Sequence, residues 1–257
     1  MVLNEILNPI LSPILLLPPF WAVVIFSFII SFTISIVYKL MTDQNLMKQL
    51  KEEMKELQKE MKELRGHPEK LMVVQKKSME TNMKYMTKSF KPTLITFIPI
   101  IIIFGWMSAH LAYFPIMPSE EFSTSIDLIN QIGNNVTLEV PEGIELLSDS
   151  TQKINSDTVI WKLKGKEGSY SLTYTINKKS YQKEVIISKR FGFYSPVEEV
   201  INDNQVSKIN LSNKKLQPLR EVGLGFIPWF GNFGWLGTYI LFSILFSIII
   251  RKSLKIA

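Results

Sequence analysis

Hydroxyl side chains set into otherwise apolar sequence are the residues of this 257-residue chain best placed to do chemistry. Ser27, Ser31 and Ser35 recur every four residues, which places them on one face of a helix. Tyr38 and Lys39 extend that stripe. Thr93 and Thr96 stand at the start of a second apolar run, and Ser243, Ser247 and Arg251 repeat at i, i+4 in a third. In hydrocarbon a hydroxyl turns toward another helix or a wet cavity, because lipid offers it no partner. Two readings follow from the spacing. These small residues pack three helices together, or they line a mildly polar groove that opens to the cytoplasm. Either way the chemistry is one of solvation and not of bond-making.

Other chemistries find little support. There is no cysteine, and the two histidines, His67 and His110, are far apart; thiol catalysis and zinc-thiolate sites are excluded. His67 beside Pro68 reads as a turn residue. No Gly-rich phosphate loop, clustered metal ligands or nucleophile elbow is present. No carboxylate lies inside an apolar run, which argues against an ion-coupled transporter. The expectation is a protein that is not an enzyme and uses no cofactor or metal. The net charge of +6 comes mostly from Lys, with only four Arg. Because Arg is the preferred residue for bidentate phosphate and base recognition, this balance favours a membrane surface over a specific nucleic-acid sequence.

The elements that hold these residues follow from the charge distribution. Residues 6–38, 92–119 and 222–250 contain no Asp, Glu, Lys or Arg, and each block is long enough to cross about 30 Å of hydrocarbon. The first span is placed at 20–38, after an outer interfacial segment, 1–19, with Pro9, Pro13, Pro18 and Pro19. It lacks a basic n-region and a small-residue cleavage site, so it reads as uncleaved. The second span is assigned to 92–116, with Pro99 expected to bend it, and the third to 223–250, its helix running over Phe226–Ile250. Thirteen basic residues fall in 39–91, none in 1–19 and three in the tail, 251–257. The basic loops mark the cytoplasmic side. The N-terminus is therefore expected outside and the C-terminus inside, in a multi-pass cell-membrane protein. Trp21, Tyr113, Trp229 and Trp235 fall at the expected outer interface.

Within 39–91, Met47, Leu50, Met54, Leu57, Met61 and Leu64 are spaced 3, 4, 3, 4, 3, a heptad seam. Gly66-His67-Pro68 interrupts it. A second helix carries Met72, Met79, Met83, Met86 and Phe90 on one side, so a cytoplasmic antiparallel coiled-coil hairpin is expected. Eight of the eleven Met residues lie in 41–91. They close the hairpin seam, or Met72, Met79, Met83 and Met86 form an adaptable surface for varied apolar partners.

Residues 117–222 hold thirteen basic and fourteen acidic residues. Val136–Val140, Thr158–Lys164, Ser169–Ile176 and Tyr181–Ile187 alternate at period two or are β-branched, with turn signals between them. A small extracellular β-sandwich-like domain of five to seven strands is expected, acting as a binding or spacer module. Asn135-Val-Thr and Asn210-Leu-Ser are glycosylation-type sequons within it. The fold class is thus membrane α-helical: three transmembrane helices, a cytoplasmic hairpin and an extracellular β-domain.

This order of parts resembles the core of the YidC/Oxa/Alb insertase superfamily, and among its branches the archaeal YidC-like proteins. Relatives include insertase subunits of the ER membrane complex and of the tail-anchor pathway. The resemblance rests on MTDQNLMKQLKEEMKELQKEMKEL, QKKSMETNMKYMTKSFKPTLITFIPIIIIFGW and WLGTYILFSILFSIIIRKSLK, together about 20–114 and 223–255. It implies an insertase or chaperone that passes client transmembrane segments into the bilayer through a cytoplasm-open polar groove, without nucleotide hydrolysis. Implied partners are nascent membrane-protein clients, the lipid bilayer and the ribosome or translocon. Bacterial members carry an Arg within the first core span; here that span has only hydroxyls until Lys39, so Lys39 and Arg251 are the candidate positive charges at the groove mouth. The competing reading is a membrane sensor or scaffold, with a β-domain outside and a coiled coil inside.

Overall fold

A computed structural model describes residues 2–256, with side chains from Leu7 onward. Met1 and Ala257, the outermost residues of the two expected terminal segments, lie outside the described residues. The helices are α1 (Val2–Leu11), α2 (Pro19–Met41), α3 (Gln44–Glu63), α4 (Pro68–Leu111), the short α5 (Pro218–Glu221) and α6 (Trp235–Ser253). Nine strands lie between α4 and α5: β1 (Glu121–Leu128), β2 (Asn135–Glu139), β3 (Ile144–Leu146), β4 (Thr151–Lys153), β5 (Thr158–Gly165), β6 (Gly168–Ile176), β7 (Lys179–Ile187), β8 (Glu198–Val200) and β9 (Val206–Leu211). The chain forms two compact units. One contains residues up to Ala22 and Trp106–Trp235; the other contains Val23–Gly105 and residues from Leu236 onward. Among the described residues three helices, α2, α4 and α6, are long and apolar enough to cross a bilayer.

Two helix boundaries depart from the sequence expectation. No break separates the hairpin from the second span near residue 91: α4 is one helix through both Pro92 and Pro99. A proline in a helix interior removes a backbone donor. The adjacent turn is reinforced by Thr93, whose hydroxyl donates to the Ser89 carbonyl at 2.8 Å, and by Thr96, which donates to Pro92 at 3.1 Å. Such hydroxyl bonds help membrane helices tolerate proline. The third span is shorter than expected. Residues 223–234 are not helical, because Gly225, Pro228, Gly231 and Gly234 interrupt the apolar run.

In the second unit, the α2–α3 corner is built by local capping. Thr42 Oγ1 donates to the Tyr38 carbonyl at 2.6 Å, and Asp43 accepts from the backbone N–H groups of Asn45 and Leu46 at 3.0 and 3.1 Å. That side-chain acceptor satisfies donors the first helical turn leaves free. Along α3, Met47, Leu50 and Leu57 are buried, and Met54 and Met61 half-buried. A 3₁₀ turn at Leu64–Gly66 reverses the chain, and Pro68 opens α4 where its missing N–H costs nothing. Over residues 68–91 of α4 the buried residues are Val74 and Thr81, with Leu71, Ser78, Tyr85 and Ser89 half-buried. Lys77 Nζ lies 3.5 Å from Glu53, linking the two helices.

The first unit holds the strands. Two antiparallel sheets, in the orders β3-β5-β1-β9-β8 and β4-β2-β6-β7, share one core that includes Ile126, Leu138, Trp161, Leu163, Tyr174, Val185 and Ile209. Trp161 and Tyr174 pack edge to face at 5.7 Å. The four sequence-expected strands are present within two residues at each end. Lys183 points inward from the edge strand β7, where its Nζ donates to the Pro196 carbonyl at 2.6 Å and to Glu199 at 3.0 Å. An inward charge on an edge strand opposes pairing with another sheet. The same unit ties the sheets to the end of α4 and the N-terminal segment. Tyr194 Oη accepts from the N–H groups of Ala112 and Tyr113, Trp106 Nε1 donates to Asn8 at 2.7 Å, and Gly192 approaches Leu15.

Candidate functional site

The serine stripe on α2 is a packing seam. Ser27, Ser31 and Ser35 are all buried. Ser27 Oγ donates to the Val23 carbonyl at 2.8 Å and lies 3.4 Å from the Tyr239 carbonyl on α6; Ser31 Oγ donates to the Ser243 carbonyl at 3.3 Å; Ser35 Oγ donates back to Ser31 at 2.7 Å. Their period of four was legible, and the structure spends it on close approach of α2 to α6, with Phe28 against Phe246 at 5.4 Å beside it. Ser243 and Ser247 are half-buried on α6. Ser243 contributes its carbonyl to this seam while its own hydroxyl donates to Ile240. Small residues that let membrane helices approach closely give this kind of contact.

A cavity of mixed lining lies elsewhere in the same unit. Its volume is about 410 Å³, and it is lined by Ile34 and Tyr38 from α2, Arg251 from α6, and Tyr85, Ser89, Pro92, Thr93, Thr96, Phe97 and Ile100 from α4. Four sequence-selected residues meet there: Tyr38, Thr93, Thr96 and Arg251. Tyr38 Oη and Ser89 Oγ are 3.3 Å apart, and the Arg251 guanidinium stands over the Tyr38 ring at 5.1 Å. The ring thus holds a cation at the cavity wall. Lys39 does not line it; exposed, its Nζ donates to the Leu254 carbonyl at 3.0 Å, just past the end of α6. That is a favourable place for a cation, among carbonyls the helix leaves free. The sequence reading missed Ile34 on α2 and, on α4, Phe97 and the group Tyr85, Ser89, Pro92 and Ile100. The signal for that group was the spacing of 85, 89, 92, 96 and 100, a single helical face that continues the line of Leu71, Val74, Ser78 and Thr81.

The methionines occupy a different face. Met72, Met79, Met83 and Met86 are 69, 67, 63 and 57% exposed, so they do not close the seam with α3. At roughly 100° per residue they fall about 130° around α4 from the buried line. Phe90 shares their stripe, and Leu94, Phe97 and Ile101 prolong it, all with half or more of their surface exposed. One apolar track therefore runs along a single unbroken helix, from the hairpin into the span.

A helix seam, a small cavity carrying one cation and an exposed methionine track form a combination that invites comparison with membrane proteins built around a hairpin. Residues 4–123 match the family of integral membrane proteins described as EMC3/TMCO1-like. That family lies in the Oxa1/YidC/Alb3 insertase superfamily and is associated with membrane-protein insertion. The EMC3/TMCO1-like match takes in α2, α3 and α4, with the methionine track and most of the cavity wall; it stops three residues into β1 and does not reach α6. No curated protein and no solved structure gives a significant match.

Proposed function

We propose that this chain is a membrane-protein insertase or chaperone, related to the archaeal YidC-like proteins, that receives client transmembrane segments from the cytoplasm. The observation that carries the proposal is the methionine track: large adaptable apolar side chains left in solvent along one continuous helix that enters the membrane-crossing region. A coiled-coil pair of α3 and α4 would present Met72, Met79, Met83 and Met86 to an emerging client. The track then leads the client along α4 past Phe90 and Leu94 toward lipid. The cavity, with Thr93, Thr96, Ser89 and the Arg251–Tyr38 pair, would solvate the client's short polar flank. An acidic or carbonyl-rich flank would find its one cation there.

The driving force would be the client's own transfer, about 0.3–0.6 kcal/mol for each Leu, Ile, Phe or Val at a helix centre. No nucleotide step and no cofactor enters this mechanism. The charge of the loops supports a hairpin and C-terminus in the cytoplasm and a β-domain outside; clients, and the ribosome or translocon that delivers them, would be the partners. The match to an insertion-associated family over the hairpin and first two spans favours this reading over a sensor or scaffold.

The test is photocrosslinking of ribosome-bound nascent chains to probes at Met83 and Thr96, with Ile244 on the exposed side of α6 as the reference. Clients should label Met83 before Thr96 as the chain lengthens. Labelling of Ile244 alone, or of none of the three, would remove the insertase reading.

A further inference from the structure

The stretch 222–234, VGLGFIPWFGNFG, carries no charge and is neither helix nor strand. It is nonetheless a built object. Successive turns satisfy part of its backbone: Leu224 N–H donates to Leu219 at 2.9 Å, Gly231 to Ile227 at 2.9 Å and Phe233 to Phe230 at 3.0 Å. The two ends of the turn are pinched together at glycines. A Cβ on Gly231 would lie 2.4 Å from the carbonyl oxygen of Gly225, a backbone atom that has no freedom to yield. At the apex stands Trp229, with φ of 71°, a backbone region that large L-residues avoid. Its side chain is 90% exposed, and that of Phe226 is 78% exposed. Phe230 and Phe233 brace each other edge to face at 5.3 Å. A strained backbone that holds two large aromatic side chains out of the fold is not what water selects.

The helix that follows supplies the second observation. From Trp235 to Ile250, where Arg251 and Lys252 close the apolar run, α6 rises roughly 24 Å. A bilayer's hydrocarbon is about 30 Å thick. The shortfall, roughly 6 Å, falls at the N-terminal end of α6, which the chain enters directly from this knob. We propose that the knob is seated in lipid, in the interfacial layer of the leaflet at the N-terminal end of α6, with Trp229 and Phe226 reaching among the first acyl carbons. Its internal hydrogen bonds let irregular backbone sit at that depth, where water is scarce but present. Trp belongs there because its ring is apolar and its N–H polar. The knob belongs to the same compact unit as the two sheets. The proposal stands whichever way the chain is oriented.

Single Cys substitutions Trp229→Cys and Phe226→Cys in the full chain, which has no native cysteine, can carry a nitroxide in dioleoylphosphatidylcholine vesicles. Ile244→Cys serves as the lipid reference and Ser156→Cys, on an exposed β-domain loop, as the water reference. The knob labels should be open to oxygen and closed to a soluble nickel chelate, as at 244. Access to the chelate equal to that at 156 would overturn the proposal, and shielding from both reagents would replace lipid with a protein contact. Because Trp229→Cys could disturb the turn, native tryptophan fluorescence gives an independent reading. Lipids brominated near the headgroup end of the acyl chain should quench the wild-type chain more than Trp229→Phe, and equal quenching would overturn the proposal.

Discussion

Replacing Met79, Met83 and Met86 with Gln separates client capture from stability. Gln has nearly the length and helix propensity of Met, so α4 should keep its shape. The three side chains are 57–67% exposed, and substitutions at such sites change stability by no more than about 0.5 kcal/mol each. Fully burying a Met side chain is worth about 1.5–3 kcal/mol. A client that covers the exposed fraction would recover about 1 kcal/mol per residue once ordering costs are subtracted. Three residues give about 3 kcal/mol, or on the order of a hundredfold in affinity. The contrast is Met47, fully buried on α3, where truncation to Ala should cost about 2–5 kcal/mol of stability.

The assay pairs thermal melting by circular dichroism with the affinity of a labelled peptide carrying one transmembrane segment, both in nanodiscs. The Gln triple variant should melt with the wild type and bind about a hundredfold more weakly. Met47→Ala should melt early. A Gln variant that binds as tightly as wild type refutes the track. A Gln variant that unfolds would show these methionines to be packed after all. The corresponding Leu triple variant keeps the apolar area but loses the rotatable thioether. It should stay folded and bind Leu-rich segments normally while handling a narrower range of clients.

Protease added to right-side-out vesicles should cut the β-domain and leave the Gly66 turn intact; cleavage at Gly66 would invert the proposed orientation. In the β-domain, the Asp203 carboxyl is held down at about 2, first by the hydrogen bond from Lys179 at 2.6 Å and then by that from the Tyr181 hydroxyl. A depressed carboxyl contributes its stability above its unfolded pKa, near 4, and loses it as pH falls through about 2. The melting difference between wild type and Asp203→Asn should therefore be constant from pH 5 to pH 7, shrink below about pH 4 and vanish only below about pH 2; a gap independent of pH would exclude the carboxylate as its source.

Spacing and environment separate in this chain. Of the heptad positions from Met47 to Leu64, Met47, Leu50 and Leu57 are buried and Met54, Met61 and Leu64 half-buried, so on α3 the apolar stripe does mark the more buried side. On α4 the same logic misleads. The eye takes the greasiest stripe, that of the methionines, for the inside, whereas the buried line mixes Val74 and Leu71 with Ser78 and Thr81. Small polar residues there pack closely against a neighbour at little desolvation cost, so hydrophobicity alone ranks the two faces in the wrong order. The serines of α2 show the complementary ambiguity. A period of four selects a face, but a neighbouring carbonyl and a water-filled groove satisfy a hydroxyl equally well, and nothing in the spacing distinguishes them. The third span was overdrawn for a different reason. Absence of charge reports compatibility with lipid, not helicity, and lipid tolerates a self-bonded turn at its interface. Gly225, Pro228, Gly231 and Gly234 were the available warning, four residues of low helix propensity within ten positions. Once they are given their weight, the uncharged run divides at Trp235 into a knob and a short helix, and the short helix is the length argument for seating the knob in the interface.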